Sequence, residues 1–259
     1  MEEQKNFCFG VFADPHYADK DSDSERWFRR SSEKLDSCLK KFKEETIDFV
    51  VCLGDFIDYN QDLSDPVPQL REIRDKVRNC GFALYSVLGN HDVMQLPREV
   101  LRKELSLPRE EGYYAFEHKG WCFVVLDTNY DPEGRAYSGK DMQWDRCVVD
   151  PKQMHWLKNE LESAKGPVVV LTHGNLEPRC LGQQLDPHIV LNSKEITDLF
   201  SKSGKVKLVL QGHYHKGCVT QYEGIPYVTL RAMVEGPENN AALIISCRED
   251  GAFSYEYLF

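Results

Sequence analysis

Residues 46–58 read TIDFVVCLGDFID, and their order decides the fold. A nearly unbroken apolar run, Thr46 to Leu53, stops at Gly54 and is followed by Asp55 and Asp58. A short run rich in Val, Ile and Phe suits a strand buried on both faces. In an open α/β sheet the carboxyl ends of such strands line the ligand crevice, so this acidic pair stands where chemistry is expected. The same pattern recurs outward along the chain. Phe7 to Ala13 ends in Asp14-Pro15-His16, and Phe82 to Leu88 ends in Gly89-Asn90-His91-Asp92. Val168 to Thr172 ends in His173, and Val206 to Leu210 runs into Gly212-His213-Tyr214-His215. Trp121 to Leu126 is a further apolar run of this type.

Helical patterns separate the runs. Phe28, Leu35, Cys38, Leu39 and Phe42 recur at helical spacing among charges, which predicts an amphipathic helix with one buried face. Leu70, Ile73 and Val77 predict a second, ended by Gly81. Pro151 to Ala164 and Ser193 to Phe200 predict two more, with Pro151 near the start of one and Ser193 as N-cap of the other. Strand alternating with helix implies crossovers and largely parallel pairing. Residues 219–222, 227–230, 241–247 and 253–258 predict added antiparallel strands. Residues 14–26, 58–69, 92–112 and 127–150 read as irregular. No repeat or linker divides the chain, so residues 1–259 are expected to form a single domain.

Bulk composition excludes several classes. No apolar run approaches the roughly 20 residues of a spanning helix, and the acidic start MEEQKNFCFGVFAD lacks the pattern of a signal peptide. The nine cysteines are scattered, and none forms a Cys-x-x-Cys pair. They read as core residues of a protein in a reducing, cytoplasmic setting. A net charge of −10 argues against a nucleic-acid or anionic-membrane partner. It leaves room for a phosphorylated substrate, because bound metal ions reverse the local potential.

Five of the eight histidines fall at the strand ends; His118, His155 and His188 do not and read as surface or packing residues. A turn, a helix cap or a pair of surface imidazoles explains any one of these motifs. The ordered set points instead to a two-metal site. Residues i and i+2 of an extended segment face the same side, so Asp14 with His16, and His213 with His215, each aim at one small volume. Gly54, Gly89 and Gly212 precede donors where backbone turns tightly or approaches closely. Imidazole and carboxylate donors without thiolate suit Mn, Fe or Zn.

This set resembles the calcineurin-like metallophosphoesterase superfamily, whose blocks Asp-x-His, Gly-Asp-x-x-Asp, Gly-Asn-His-Asp/Glu, a lone His and Gly-His-x-His occur here in order over residues 14–215. The resemblance implies a four-layer α/β/β/α sandwich, two mixed sheets flanked by helices. It implies two divalent metal ions: Asp14, His16 and His215 on one, Asn90, His173 and His213 on the other, and Asp55 bridging. Two divalent ions set against two carboxylates and a bridging hydroxide leave a positive centre that attracts phosphate. The implied reaction is hydrolysis of a phosphoester by in-line attack of a metal-bound hydroxide. Asn90 and His91 would contact the substrate phosphate, and His91 would protonate the leaving alkoxide. An imidazole suits that task because its ordinary pKa of about 6.5 lies near working pH. Asp58 is the first choice to orient His91, and Asp92 the alternative.

Within the superfamily, FGVFADPHYAD with RWFRRSSEKL, and GHYHKG…YVTLRAMVEG, look like the manganese-dependent ADP-ribose/CDP-alcohol diphosphatases. His16 departs from that group, which carries Gln there, and brings the chain nearer the class III phosphodiesterases. The expected substrate is a small phosphodiester or a nucleotide-linked diphosphate. The alternatives are a phosphomonoesterase, phosphoprotein phosphatase included, and a catalytically idle scaffold. Residues 129–150 are the expected cap, with Tyr137 and Trp144 to stack on a base and Arg135 or Arg146 to pair with a second phosphate. His188 has a second reading, as a residue of the pocket rim. The sequence leaves oligomeric state open.

Overall fold

The computed structural model describes residues 6–60, 65–109, 111–181, 184–236 and 242–258. Residues 61–64 of the expected loop 58–69, residues 237–240 of the turn that follows Glu235, and Ala241 lie outside the described residues. In chain order the elements are β1 (Phe7–Phe12), α1 (Arg30–Glu44), β2 (Phe49–Cys52), α2 (Val67–Asn79), β3 (Ala83–Ser86), α3 (Asn90–Gln95) and α4 (Arg98–Leu105). They continue with β4 (Tyr114–His118), β5 (Trp121–Val125), α5 (Pro151–Ser163), β6 (Val168–Thr172), β7 (Cys180–Leu181), β8 (Gln184–Leu185) and α6 (Ser193–Ser203). The last are β9 (Val206–Gln211), β10 (Cys218–Tyr222), β11 (Ile225–Thr229), β12 (Ala242–Cys247) and β13 (Phe253–Leu258). Among the described residues no helix is long and apolar enough to cross a membrane.

Two mixed sheets carry the fold. One has the order β13-β12-β1-β2-β3, the other β10-β11-β9-β6-β5-β4. The strands β1, β2 and β3 run parallel, as do β5, β6, β9 and β11. The C-terminal strands do not form one added block. The antiparallel pair β10–β11 extends one sheet, and β12–β13 extends the other, with β12 antiparallel to β1.

The sheets meet through aromatic side chains. Phe9 of β1 and Phe49 of β2 each lie 5.3 Å, ring to ring and edge-on, from Phe123 of β5. Edge-to-face pairs of this kind add to the stabilisation that burial alone supplies. On the outer face of the first sheet, Leu35, Leu39 and Phe42 of α1 and Leu70, Ile73 and Val77 of α2 are buried. On the outer face of the second, Leu157 and Leu161 of α5 and Ile196 and Phe200 of α6 pack with Val124, Val168 and Val170. This is the four-layer arrangement the resemblance implies.

Helix boundaries follow local chemistry. Asp150 caps α5 by accepting the Lys152 and Gln153 N–H groups, with Pro151 as first helical residue. In α6 the cap position belongs to Asn192, not Ser193; its amide bonds the Val149 backbone instead. The stretch 92–112 is not irregular, since α3 and α4 fill most of it around Pro97. Strand β4 was also not foreseen; it pairs with β5 through a hairpin at Lys119-Gly120, both at positive φ.

Candidate metal centre

Each donor sits just past the carboxyl end of a parallel strand. β1 leads to Asp14 and His16, β2 to Asp55 and Asp58, β3 to Asn90, β6 to His173 and β9 to His213 and His215. The two sheets therefore deliver their donors to one place from opposite sides. The backbone there is not extended. Asp14, His16, Asp55 and His213 all have positive φ, between 41° and 69°. The expectation of same-side projection from an extended Asp-x-His segment is thus corrected: sharp turns, and not strand periodicity, aim these side chains. Asp and His tolerate this region better than most residues, and such conformations cluster at functional sites.

Two groups of donors share one carboxylate. The ligand atoms of Asp14, His16 and His215 lie within 4.8 Å of one another, as do those of Asp55, His173 and His213. Asp55 Oδ2 stands between the groups, 3.4 Å from His16 Nε2 and 3.3 Å from His173 Nε2. Asn90 joins the second group, its Oδ1 3.0 Å from His173 Nε2.

Three imidazoles are oriented in the manner of metal ligands, one nitrogen turned to an outer oxygen and the other inward. His173 donates Nδ1–H to the Leu53 carbonyl at 2.8 Å. His215 turns Nδ1 to Glu235 Oε1 at 2.7 Å, and His16 turns Nδ1 to Asp58 Oδ2 at 3.2 Å. The inward Nε2 atoms of His16 and His215 then face each other at 3.1 Å, an approach that a cation between their lone pairs would satisfy. The donor set fits a pair of divalent ions.

Electrostatics agree with that fit. Burial, followed by the nearby His91 ring, lowers the His16 pKa to about 3, and burial holds His213 well below its ordinary value. Both rings are therefore neutral, the state a ligand needs. Against the upward push of burial, His173 and His91 hold Asp55 well below the carboxylate range. Asp55 in turn, against burial, raises His173 to about 10. The buried Asp55 carboxylate calls for positive charge, whereas burial raises Asp14 above the ordinary carboxylate value.

The two motif loops are clamped together. Asp92 is fully buried, and its carboxylate accepts the N–H groups of Asp55, Phe56 and Gly89 at 2.8–3.0 Å. Asp55 Oδ1 accepts the His91 N–H at 2.7 Å. A Cβ on Gly89 would lie 2.1 Å from Asp55 Oδ1, so only glycine fits. Asp92 therefore belongs to the scaffold. Asp58 Oδ2 is the carboxylate that lies 3.7 Å from His91 Nδ1. Against burial, His16 and His91 hold Asp58 below its ordinary pKa.

Above the donors opens a cavity of about 400 Å3 whose wall includes His91, Arg26, Trp144, His188, Lys216 and Glu235. Of the expected cap residues, Trp144 faces this cavity. Arg135 and Tyr137 do not: they line a separate depression with Arg146. Arg135 is held by Asp131 and Glu133, and the Tyr137 backbone is tied to Asn129 and Arg98. Of the two readings of His188, a packing residue or a residue of the pocket rim, the structure favours the second, since its ring forms part of the wall. His188 stands outside every motif, and Glu235 lies in the resembling stretch YVTLRAMVEG with no role implied for it. Only their following the blocks in space, not in sequence, brings them to the site.

Residues 9–217 match the family model for calcineurin-like phosphoesterases. A manganese-dependent ADP-ribose/CDP-alcohol diphosphatase of Arabidopsis thaliana is 26% identical over 277 residues, covering 90% of this chain and 88% of the relative. A serine/threonine-protein phosphatase, CPPED1 of Bos taurus, is 26% identical over 246 residues, covering 88% and 75%. Among solved structures, a dimetal phosphatase from Danio rerio superposes with a TM-score of 0.82 at 20% identity, over 94% of this chain and 93% of that one.

Proposed function

The chain belongs to the calcineurin-like phosphoesterase family and is a metal-dependent phosphoester hydrolase, and from that premise we propose that it cleaves small phosphodiesters or nucleotide-linked diphosphates. The observation that carries this reading is the placement of Asp55 Oδ2 between two donor groups built from imidazole, carboxylate and amide. In this reading Asp14, His16 and His215 would hold one divalent ion, Asn90, His173 and His213 would hold the other, and Asp55 would serve both. A divalent pair held there would supply Lewis acidity toward phosphoryl oxygens and an activated water.

The chain's own residues do the rest. Asn90 and His91 contact the phosphate, and His91 passes a proton to the leaving oxygen while Asp58 holds the ring. Arg26, Lys216 and the Trp144 face offer charge and a stacking surface to the remainder of the substrate. The similarity to the Arabidopsis diphosphatase supports a diphosphate or diester. The similarity to the bovine protein phosphatase supports a second reading, a phosphomonoesterase. Cys8, Cys38, Cys52, Cys80, Cys122, Cys147, Cys218 and Cys247 are free thiols, which supports a cytoplasmic setting.

A panel of ADP-ribose, a CDP-alcohol, bis-p-nitrophenyl phosphate and p-nitrophenyl phosphate, assayed with Mn and with products identified, separates the readings. We expect kcat/KM for a diphosphate or the diester to exceed that for the monoester by roughly tenfold or more. A preference for the monoester would overturn the substrate assignment and leave the second reading.

A further inference from the structure

One titratable side chain in the cavity wall has no part in the reaction so far described. His188 Nδ1 lies 2.6 Å from Asp186 Oδ1, and the same oxygen accepts the His188 backbone N–H at 2.9 Å. Asp186 is buried, and its other oxygen accepts from Arg179 Nε. Arg179 in turn reaches Asn175 and Glu177 and lies 4.4 Å from the Tyr214 ring. The Asn175 amide donates to the Gly212 carbonyl at 2.8 Å. This network ties Asn175, Glu177, Arg179 and Asp186 to the Gly-His-x-His loop, and it fixes the His188 ring.

The lock also sets the tautomer. A carboxylate held by a guanidinium accepts, so Nδ1 carries the hydrogen. Nε2 is left as an acceptor, and among the described residues no protein group bonds it. The ring lies 4.9 Å from His213 and 5.1 Å from Trp144 in the cavity wall, with Nδ1 turned to Asp186 and Nε2 on the opposite edge of the ring. An oriented acceptor at that place repels a phosphoryl oxygen and welcomes a hydroxyl.

We propose that His188 is a specificity-determining residue that accepts a hydrogen bond from a hydroxyl on the alcohol or sugar part of the substrate, next to the phosphate. Asp186 and Arg179 are its positioning residues. The proposal rests on the reading that the donor groups around Asp55 bind the phosphate, and it selects polyol and sugar phosphoesters over plain alkyl ones.

Binding of two probes to the Mn-loaded protein at pH 8 by calorimetry tests it without turnover. Glycerol 3-phosphate and propyl phosphate differ only in the hydroxyls. The wild-type protein is expected to bind glycerol 3-phosphate about tenfold tighter, the scale of one hydrogen bond to an oriented partner. In His188→Phe, which keeps an aromatic ring beside Trp144, the ratio of the two affinities should fall to within about twofold of unity. His188→Asn serves as a second variant should the Phe variant not fold, with the same expected loss. Equal affinities in the wild type, or a ratio that survives in a folded variant, would overturn the proposal. A wild type that binds neither probe overturns it together with the phosphate site. A preserved preference in a protein that hydrolyses no ester would instead defeat the activity and leave this site standing.

Discussion

Adjacent residues in the Gly-Asn-His-Asp block touch different partners, and the separate tasks proposed for them rest on those contacts. Asn90 turns to His173, His91 lies at the cavity beside Asp58, and Asp92 is buried on three backbone N–H groups. His91→Ala is therefore expected to lower kcat by about 10²–10⁴, the range for a proton-transferring group, with metal content and denaturation midpoint unchanged. Asp92→Ala is expected to do the reverse in kind. It strands three buried donors and costs on the order of 3 kcal/mol in urea unfolding. Equal stability of the two variants would contradict this division. The residues of the candidate metal centre can be picked out from the sequence because each motif sits in one short stretch. Arg135, Tyr137, His188 and Glu235 cannot be placed in this way, because a side chain on a long loop reaches its site by the path of that loop. No periodicity in residues 127–150 records that path, and Glu235 meets His215 only after the β10–β11 hairpin returns.

At the scale of elements, most strands and the four longer helices are visible as apolar periodicity, while β4, β7 and β8 are not. The helices α3 and α4 were hidden by their brevity and by Pro97 between them. α3 also begins on the donor Asn90, so one residue serves a motif and a first helical turn. α4 is tied to α2 by ion pairs that make a pH-dependent contact: Glu104 bonds Arg71 through both oxygens and also reaches Arg74. The Arg71 hydrogen bond, opposed by burial and reinforced by Arg74, lowers the Glu104 pKa from 4.5 to about 2. A carboxyl lowered on folding stabilises above its unfolded pKa, and the gain fades as pH falls towards the folded one. Glu104→Gln is expected to lower stability at pH 7 by about 1 kcal/mol at most, since Arg71 is half exposed. The gap to wild type, followed by thermal denaturation, should narrow as the pH falls from 4.5 towards 2. A gap independent of pH would mean that packing, not charge, is lost.

Across the whole molecule, the apolar runs alone described one open sheet, and the motif resemblance supplied the two-sheet sandwich. Physically the difference lies in pairing partners. Val-rich runs such as β2 and β6 look alike in sequence, yet β2 pairs with β1 and β3 while β6 pairs with β5 and β9. The split matters for function, because it lets donors approach from two directions and meet at Asp55. The central claim is therefore a metal pair bridged by that carboxylate. Electron paramagnetic resonance of the protein loaded with two equivalents of Mn(II) tests it most directly. The account predicts the exchange-coupled spectrum of two ions about 3.5–4 Å apart, and its loss in Asp55→Ala. An isolated six-line signal from separate ions in the wild-type protein, or no protein-bound Mn(II), would contradict it.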